Sequence, residues 1–190
     1  MKRRNVLVGA AVLTAAVLST SAGAAMASDA RSSSGGTVAA QDRATAVLPE
    51  SIQVPPGNIL IGDFLGKGVQ VYQCTAGAWA FVEPAANLAG WVKRPGITAT
   101  AVHFRGPSWE STDDGSLVEA RVVASSPVPG SIPQLLLQST RNRGDGVFGH
   151  VSFLQRLATR GGLAPAGDCK DGQTVGVPYQ SQYRFFVPSN

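Results

Sequence analysis

Residues 117–125, LVEARVVAS, contain the clearest structural signal in the chain. Apolar and polar side chains alternate there with a period of two, the pattern of a β-strand with one face in a core and the other largely in water. The pattern places Val118, Ala120, Val122 and Ala124 on the core face and Glu119, Arg121 and Val123 on the opposite face. The segment therefore predicts one strand of an antiparallel sheet.

Other short apolar segments show the same spacing and are separated by Gly, Pro, Asp and Asn. They are residues 58–61, 69–74, 79–83, 97–104, 132–138, 147–157 and 179–187. No stretch keeps a helical period over about 11 residues, although residues 84–91 have room for one or two helical turns. The pattern predicts an all-β, single-domain antiparallel sandwich or barrel of about eight strands, with little helix.

The first 27 residues have the composition of an export signal. Basic residues at positions 2–4 precede an apolar run at 6–18, and residues 25–27, AMA, offer small side chains where a signal peptidase cleaves. We place cleavage before Ser28, with residues 22–24, AGA, as the second possibility. A membrane anchor is the other interpretation, but the run is shorter than the ~20 residues of a spanning helix. These features predict a secreted, extracellular protein with no membrane attachment after cleavage.

Composition divides the remaining chain into two parts. Residues 28–48 are rich in Ser, Gly and Ala without apolar periodicity, which predicts a flexible leader, and residues 49–190 form the β domain. The whole chain has 16 basic and 12 acidic residues, and three of the basic ones lie in residues 1–27, so the mature protein carries a net charge of +1. Because there is no basic stripe, the composition argues against nucleic-acid binding.

The chain has two cysteines, Cys74 and Cys169. In an exported protein such a pair usually forms a disulfide, because the compartment is oxidising. A bridge closing a loop of this length stabilises the fold by ~4–5 kcal/mol in the chain-entropy model. Two separately buried thiols are the alternative, and metal binding by two cysteines without clustered histidines is a weaker one. The sequence therefore predicts a Cys74–Cys169 disulfide.

Residues 103–116, HFRGPSWESTDDGS, contain the first candidate functional side chains. His103 beside Asp113 or Asp114 has the groups for general acid–base catalysis or, with a third ligand, for metal binding. Each also has a structural interpretation. Asp114 begins a hairpin turn signal, and His103 can be a hydrogen-bonded residue at the rim of the sheet.

Trp109 and Arg156 are candidates for ligand contact. Trp109 can stack on a sugar ring, or it can be a core aromatic whose indole N–H binds a backbone carbonyl. Arg156 can bind a carboxylate or phosphate with two parallel hydrogen bonds. It can equally pair with Asp113 or Glu119 as a structural clamp, which the sequence favours.

Familiar enzyme motifs are excluded by spacing. Residues 62–68, GDFLGKG, place three residues between the first two glycines, where a phosphate loop needs four, and a Gly where the loop needs Ser or Thr. The chain contains no G-x-G-x-x-G after a strand, no G-x-S-x-G and no H-E-x-x-H. We therefore expect no cofactor and no metal.

Several sequence blocks occur together in one known family. They are residues 69–74 (VQVYQC), Trp79, 103–110 (H-x-x-G-P-x-W-E), 114–116 (DGS), 132–137 (I-P-x-L-L-L), 155–156 (QR), Thr159, 161–162 (GG), 164–165 (AP), Cys169, 178–179 (PY) and Tyr183. With these blocks in order over residues 49–187, the chain resembles the secreted family catalogued as domain of unknown function 3455.

The resemblance supplies no activity. It implies an exported, compact β domain in which His103, Trp109, Asp114 and Arg156 belong to recurring motifs. It also adds Thr159 to Trp109 as a ligand-binding candidate. The chain departs from the family pattern at Gln134, where we expect a tryptophan, and an aromatic that lined a pocket in relatives would be lost here.

Two functions follow as hypotheses. The first is a ligand- or envelope-binding β module, expected to be a monomer, that binds a cell-envelope glycan or a small ligand without turnover. The alternative is a small secreted enzyme that uses His103 with Asp113 or Asp114, and Arg156, on an anionic or glycan substrate. The enzyme hypothesis requires His103 and Arg156 to lie in one concave site.

Overall fold

The structure is a computed structural model that describes residues 48–93 and 96–189. The predicted signal peptide (1–27) and all but the last residue of the predicted leader (28–48) lie outside the described residues. The strands are β1 (Asn58–Thr75), β2 (Ala78–Val92), β3 (Ile97–Phe104), β4 (Ser108–Ser111), β5 (Leu117–Val128), β6 (Ser131–Arg143), β7 (Phe153–Gly161) and β8 (Thr174–Pro188). A single 3-10 turn, Glu50–Ile52, is the helical part of this range.

Each strand pairs antiparallel with the next, and β1 also pairs with β8, so the eight strands close into a barrel. The register of the closing pair runs from Asn58 opposite Pro188 to Gln73 opposite Thr174. Closure is incomplete beside the short strand β4: β2 pairs with β3 only from Ala86 to Val92, and β5 pairs with β4 only from Leu117 to Glu119. The all-β prediction is confirmed, and of its two alternatives the structure is the barrel.

The sequence left room for one or two helical turns at residues 84–91. That possibility is wrong, because this segment is the second half of β2. Pro84, Ala86 and Leu88 point to the buried side with the period of a strand. The segment is rich in Ala, which is a weak β-former, so local propensity misleads here. Pairing decides the conformation instead: Ala86 lies between Gly68 of β1 and His103 of β3.

The predicted face of β5 is correct only for its first half. Val118 and Ala120 are buried in the barrel interior. A register shift between Val122 and Ala124 then reverses the alternation, and Ala124 packs on the outside of the sheet. A β-bulge inserts one residue and so exchanges the faces beyond it.

The predicted strand at residues 147–157 begins only at Phe153. The preceding residues form a loop between β6 and β7, and in it Phe148 is fully buried against the interior cluster. Side chains bind the loop backbone in place of a neighbouring strand. The Ser116 Oγ accepts from the Phe148 N–H at 2.9 Å, and the Asn142 Nδ2 donates to the carbonyl oxygens of Phe148 (2.7 Å) and Val151 (3.1 Å).

The barrel interior is filled unequally along its axis. Aromatic rings pack the end near the β6–β7 loop, where the Phe148 ring centroid lies 4.5 Å from that of Phe185 and 5.9 Å from that of Phe64. We call this the filled end. The opposite end carries the β1–β2, β3–β4 and β5–β6 turns and is only partly filled.

The predicted disulfide between Cys74 and Cys169 is confirmed. It joins the end of β1 to the loop between β7 and β8, with 5.8 Å between the two Cα atoms. The same loop is held by backbone bonds from the Cys74 N–H to the Gln173 carbonyl (2.8 Å) and from the Gly172 N–H to the Cys74 carbonyl (3.0 Å). The bridge thus fixes a loop at the partly filled end.

Candidate functional site

A pocket of about 440 Å³ opens at the partly filled end of the barrel. We call it the barrel pocket. Strands from around the whole barrel contribute to it, because inward-facing residues of a small barrel converge on its axis. Its upper wall is mainly apolar and its floor is polar. The wall includes Phe81, Pro84, Pro107, Val122 and Leu135, and the floor includes Gln70, Tyr72, His103, Trp109, Arg156 and Tyr183.

A larger depression of about 510 Å³ lies on the outer wall of the barrel, across β1, β2 and β3. It is lined mainly by small or aliphatic side chains, among them Leu65, Ala89 and Thr100, and by Lys67. None of the candidate residues from the sequence lines it. The barrel pocket is therefore the better candidate site, because its polar groups are buried and converge on one concave floor.

His103 lies near the end of β3, directly opposite Trp109 of β4. The two rings stack, with centroids 4.2 Å apart and planes inclined by 7°. The His103 Nδ1 lies 2.8 Å from the Ser108 carbonyl oxygen. A carbonyl oxygen only accepts, so Nδ1 carries the proton and Nε2 is the unprotonated nitrogen of the neutral ring.

Burial lowers the pKa of His103 to about 3. The side chain is 3% exposed, and desolvation of the imidazolium is the largest cause. The bond to the Ser108 carbonyl opposes this shift, and the Arg156 charge adds to it. His103 is thus uncharged near neutral pH and a weak base.

Trp109 is a core aromatic, 1% exposed, with an edge that reaches the barrel pocket. Its ring contacts His103 on one face and lies edge-on to Tyr183, at 5.7 Å between centroids. The sequence allows two roles for Trp109: stacking on a sugar ring, or packing in the core with its indole N–H bound to a backbone carbonyl. The ring is in the core, but its Nε1 has no hydrogen-bond partner among the described residues.

Arg156 projects from β7 into the same pocket as His103. Its Nε and Nη2 both donate to the Pro133 carbonyl oxygen, at 3.1 and 2.9 Å. The predicted clamp is wrong. Glu119 pairs with Arg141, and Asp113 accepts from the Thr100 backbone.

No carboxylate among the described residues pairs with Arg156. Burial is the main cause that lowers the pKa of its guanidinium. The hydroxyls of Tyr183, Tyr179 and Tyr72 lie near enough to act in the opposite direction. The pocket floor therefore holds a cation that is surrounded by neutral groups.

Asp113 and Asp114 do not lie beside His103. Both belong to the turn between β4 and β5, at the filled end of the barrel, and neither lines the barrel pocket. The Asp113 Oδ2 accepts from the Thr100 N–H at 2.8 Å. Asp114 accepts from the backbone N–H of Ser116 at 2.8 Å and of Val147 at 2.9 Å. The structure thus brings His103 and Arg156 together and holds both carboxylates apart from them.

The pKa of Asp114 reflects this role in the turn. Partial burial raises it, but hydrogen bonds from Ser116, Val147 and Ser111 outweigh burial and lower the pKa overall. A carboxylate that accepts several hydrogen bonds is stabilised in its charged form. Asp114 therefore holds the β6–β7 loop over the filled end.

Thr159 is buried beside the pocket and does not line it. Its Oγ1 donates to the Ile132 carbonyl oxygen at 2.6 Å. Gln134, the departure from the family pattern, also lies outside the lining, and its Oε1 accepts from the Ala158 N–H at 3.1 Å. Both residues connect β6 to β7 outside the pocket lining.

Sequence reasoning missed the polar side chains that β1 and β8 contribute to the interior. The Tyr72 hydroxyl donates to the Gly162 carbonyl oxygen at 2.6 Å, and the hydroxyls of Tyr179 and Tyr183 are 3.1 Å apart. The signal was available in the strand period, because Gln70 and Tyr72 share the inward face of β1. Burial raises the pKa of all three tyrosines.

Within residues 48–93 and 96–189, no three His, Cys, Asp or Glu side chains converge as a metal site would require. Over the same ranges, no helix has the length and apolar character needed to cross a membrane.

Comparison with known proteins gives a family and no activity. No curated protein and no solved structure matches the chain. The family model described as protein of unknown function (DUF3455) matches residues 55–187, which include all eight strands of the barrel apart from Pro188, the last residue of β8. The match spans well over half of the chain, and the protein therefore belongs to the DUF3455 family.

Proposed function

We propose that this protein is an exported binding module whose barrel pocket holds one small ligand. The observation that carries the proposal is a pocket of about 440 Å³ that combines an apolar wall with a buried polar floor. Small-molecule sites have this size and this mixture of many apolar and few polar groups. An eight-stranded barrel is also just wide enough to hold one small ligand.

Binding without turnover is favoured by the chemistry of the pocket floor. His103 is the residue there best suited to act as a general base, and its pKa of about 3 makes it a weak one. Neither Asp113 nor Asp114 orients it. Turnover of a bound compound would support the enzyme alternative, which needs His103 and Arg156 in one site.

A small ligand is favoured over an envelope glycan. The Trp109 ring is covered by His103 and Tyr183, so it offers no open face on which a sugar can stack. Trp91 is exposed, but it lies on the outer wall away from the polar floor. Export is supported by the predicted signal at residues 1–27 and by the disulfide, which persists in oxidising compartments.

The test uses N-phenyl-1-naphthylamine, a neutral dye whose fluorescence rises when it leaves water. Val122 and Val123 are a matched pair on β5, 50% and 40% exposed, and only Val122 lines the barrel pocket. We expect saturable dye binding at one site per chain. Val122→Trp should weaken it at least tenfold, about 1.4 kcal/mol, and Val123→Trp should leave it unchanged.

Two results would overturn the proposal. One is no saturable dye binding by the folded protein together with no binding of the naphthalene compounds described below, measured by calorimetry. The other is equal weakening by both tryptophan variants, which would place the dye on the outer surface.

A further inference from the structure

The proposed binding function leaves the class of ligand open, and the charge of the pocket narrows it. We infer that the ligand is a small organic monoanion, a carboxylate on an aromatic or alicyclic body, and that Arg156 binds its carboxylate. The inference rests on the proposed function and adds the ligand class to it.

The first support is the unbalanced charge of Arg156. Its guanidinium has five N–H donors, and the bonds to the Pro133 carbonyl use two of them. A guanidinium stays protonated in proteins, and partial burial of a charge without an ionic partner costs free energy. Among the described residues no carboxylate lines the barrel pocket. An anionic ligand supplies the missing partner, and a carboxylate matches the planar fork of donors.

The neighbouring tyrosines do not supply that charge. Desolvation raises the pKa of Tyr72 and Tyr179, and it raises the pKa of Tyr183 well above its usual value. All three hydroxyls are therefore neutral near pH 7. They solvate the guanidinium as dipoles and leave its positive charge in place.

The second support is independent of charge. The Gln70 Nε2 and the Trp109 Nε1 are buried donors with no hydrogen-bond partner in the described part of the chain. Gln70 lies near enough to the Tyr179 hydroxyl to lower its pKa, but its Nε2 makes no bond of acceptable geometry. Buried donors normally have acceptors, so each unpaired one needs an explanation. Both residues line the barrel pocket, where a ligand oxygen would serve.

The charge count selects a monoanion over a phosphate. Arg105 at the rim is paired with Glu83, at 3.1 Å between Nε and Oε2, so this pair adds no net charge. Arg156 is then the one uncompensated charge of the lining. A carboxylate balances it, whereas a phosphate dianion would leave a negative charge in a largely desolvated site.

The apolar wall of the pocket indicates which kind of apolar group carries the carboxylate of the ligand. Phe81, Pro84, Pro107, Val122 and Leu135 present aromatic and aliphatic surface around the opening. Flat rings bury apolar area against such a surface with little loss of internal freedom. An aromatic or alicyclic carboxylate fits both parts of the pocket.

The experiment measures displacement of N-phenyl-1-naphthylamine by 2-naphthoate, 2-naphthamide and 2-naphthyl phosphate, which share one ring system. Calorimetry with the same compounds checks binding directly. The proteins are the unmodified chain, Arg156→Met, Arg156→Lys and the control Arg160→Met, which removes an exposed arginine from the same strand.

We expect the unmodified protein to bind 2-naphthoate about 10- to 100-fold more tightly than 2-naphthamide, the range of a hydrogen bond to a charged group. 2-Naphthyl phosphate should bind more weakly than 2-naphthoate. Arg156→Met should bring the naphthoate-to-naphthamide ratio close to one while dye binding persists. Arg156→Lys should keep part of the preference, and Arg160→Met all of it.

Equal binding of naphthoate and naphthamide by the unmodified protein would overturn the inference and leave the proposed function standing. An unchanged preference in Arg156→Met, or tighter binding of the phosphate, would also overturn it. Absence of binding by the dye and all three compounds would overturn the proposed function itself. The comparison on the unmodified chain decides the matter even if Arg156→Met does not fold.

Discussion

Acidification should unfold this protein earlier than its carboxylates require, because His103 is buried in its neutral form. The pKa of His103 is about 3 in the folded chain, against 6.5 when the chain is unfolded. Between these values the unfolded state binds one more proton than the folded state. The free energy of unfolding therefore rises with pH through this window. The stability that neutral His103 contributes is lost as pH falls from about 6.5 toward 3.

The size of the effect follows from the shift. One proton taken up on unfolding changes the free energy of unfolding by about 1.4 kcal/mol per pH unit in the middle of the window. Integration predicts a loss of about 2 kcal/mol between pH 7 and pH 5, and about 3 kcal/mol by pH 4. Asp114 and Glu119 have pKa values lowered from 3.8 and 4.5, so the stability that these carboxylates contribute is lost mainly below pH 4.5. The interval from pH 7 to pH 5 therefore isolates the histidine.

The assay is urea denaturation at intervals of half a pH unit, with the disulfide intact. His103→Phe keeps a ring against Trp109 and cannot ionise, so its stability should be nearly flat from pH 7 to pH 5. His150 is the other histidine and is exposed, so His150→Gln should keep the full slope. A flat profile in the unmodified protein, or the same slope in His103→Phe, would refute the argument.

Three further changes test the filled end and the disulfide. Phe148→Ala should lower the free energy of unfolding by about 3–5 kcal/mol in thermal or urea denaturation, because the ring is fully buried and leaves a cavity. Asp114→Ala should cost about 1–2 kcal/mol, reduced by its exposure, and should speed amide exchange at Val147, whose N–H loses its acceptor. Replacing Cys74 and Cys169 together by serine should cost about 2–5 kcal/mol, and a loss below 1 kcal/mol would contradict the loop-closure argument.

Strand identity could be predicted from sequence, and the failures have local causes. The strand predicted at residues 179–187 lies within β8, and its period of two holds, with Tyr179, Tyr183 and Phe185 all buried. The assignment of β5 fails beyond Val122, where one inserted residue exchanges the faces. Periodicity cannot detect a bulge, because it assumes that every residue is paired.

The site was only half predictable, because proximity in sequence is a poor guide within a barrel. His103 and Arg156 share the pocket although about 50 residues separate them. Asp113 is ten residues from His103, yet it bonds to Thr100, three residues back along β3. At about 3.3 Å per residue, Thr100 lies ~10 Å from His103 along the strand. The hairpin thus carries the carboxylates to the filled end.

The contrast between the two ends of the barrel bears on why the polar floor exists. At the filled end, Phe64, Phe148 and Phe185 pack the interior with apolar rings. The same chain places Arg156 and unpaired donors in the other half of the same interior. Replacing buried charges by apolar groups of similar size is often neutral or stabilising, so stability alone does not account for this floor.

A glycine in β1 supports the same conclusion. A Cβ added at Gly66 would come within 2.7 Å of the Tyr183 ring, so the glycine provides room for that tyrosine over the pocket floor. Glycine in a strand weakens it, and it is placed where another group must approach closely. Backbone stability is thus given up to admit a tyrosine hydroxyl beside Arg156. A ligand that binds Arg156 accounts for the cation, the unpaired donors and the glycine together.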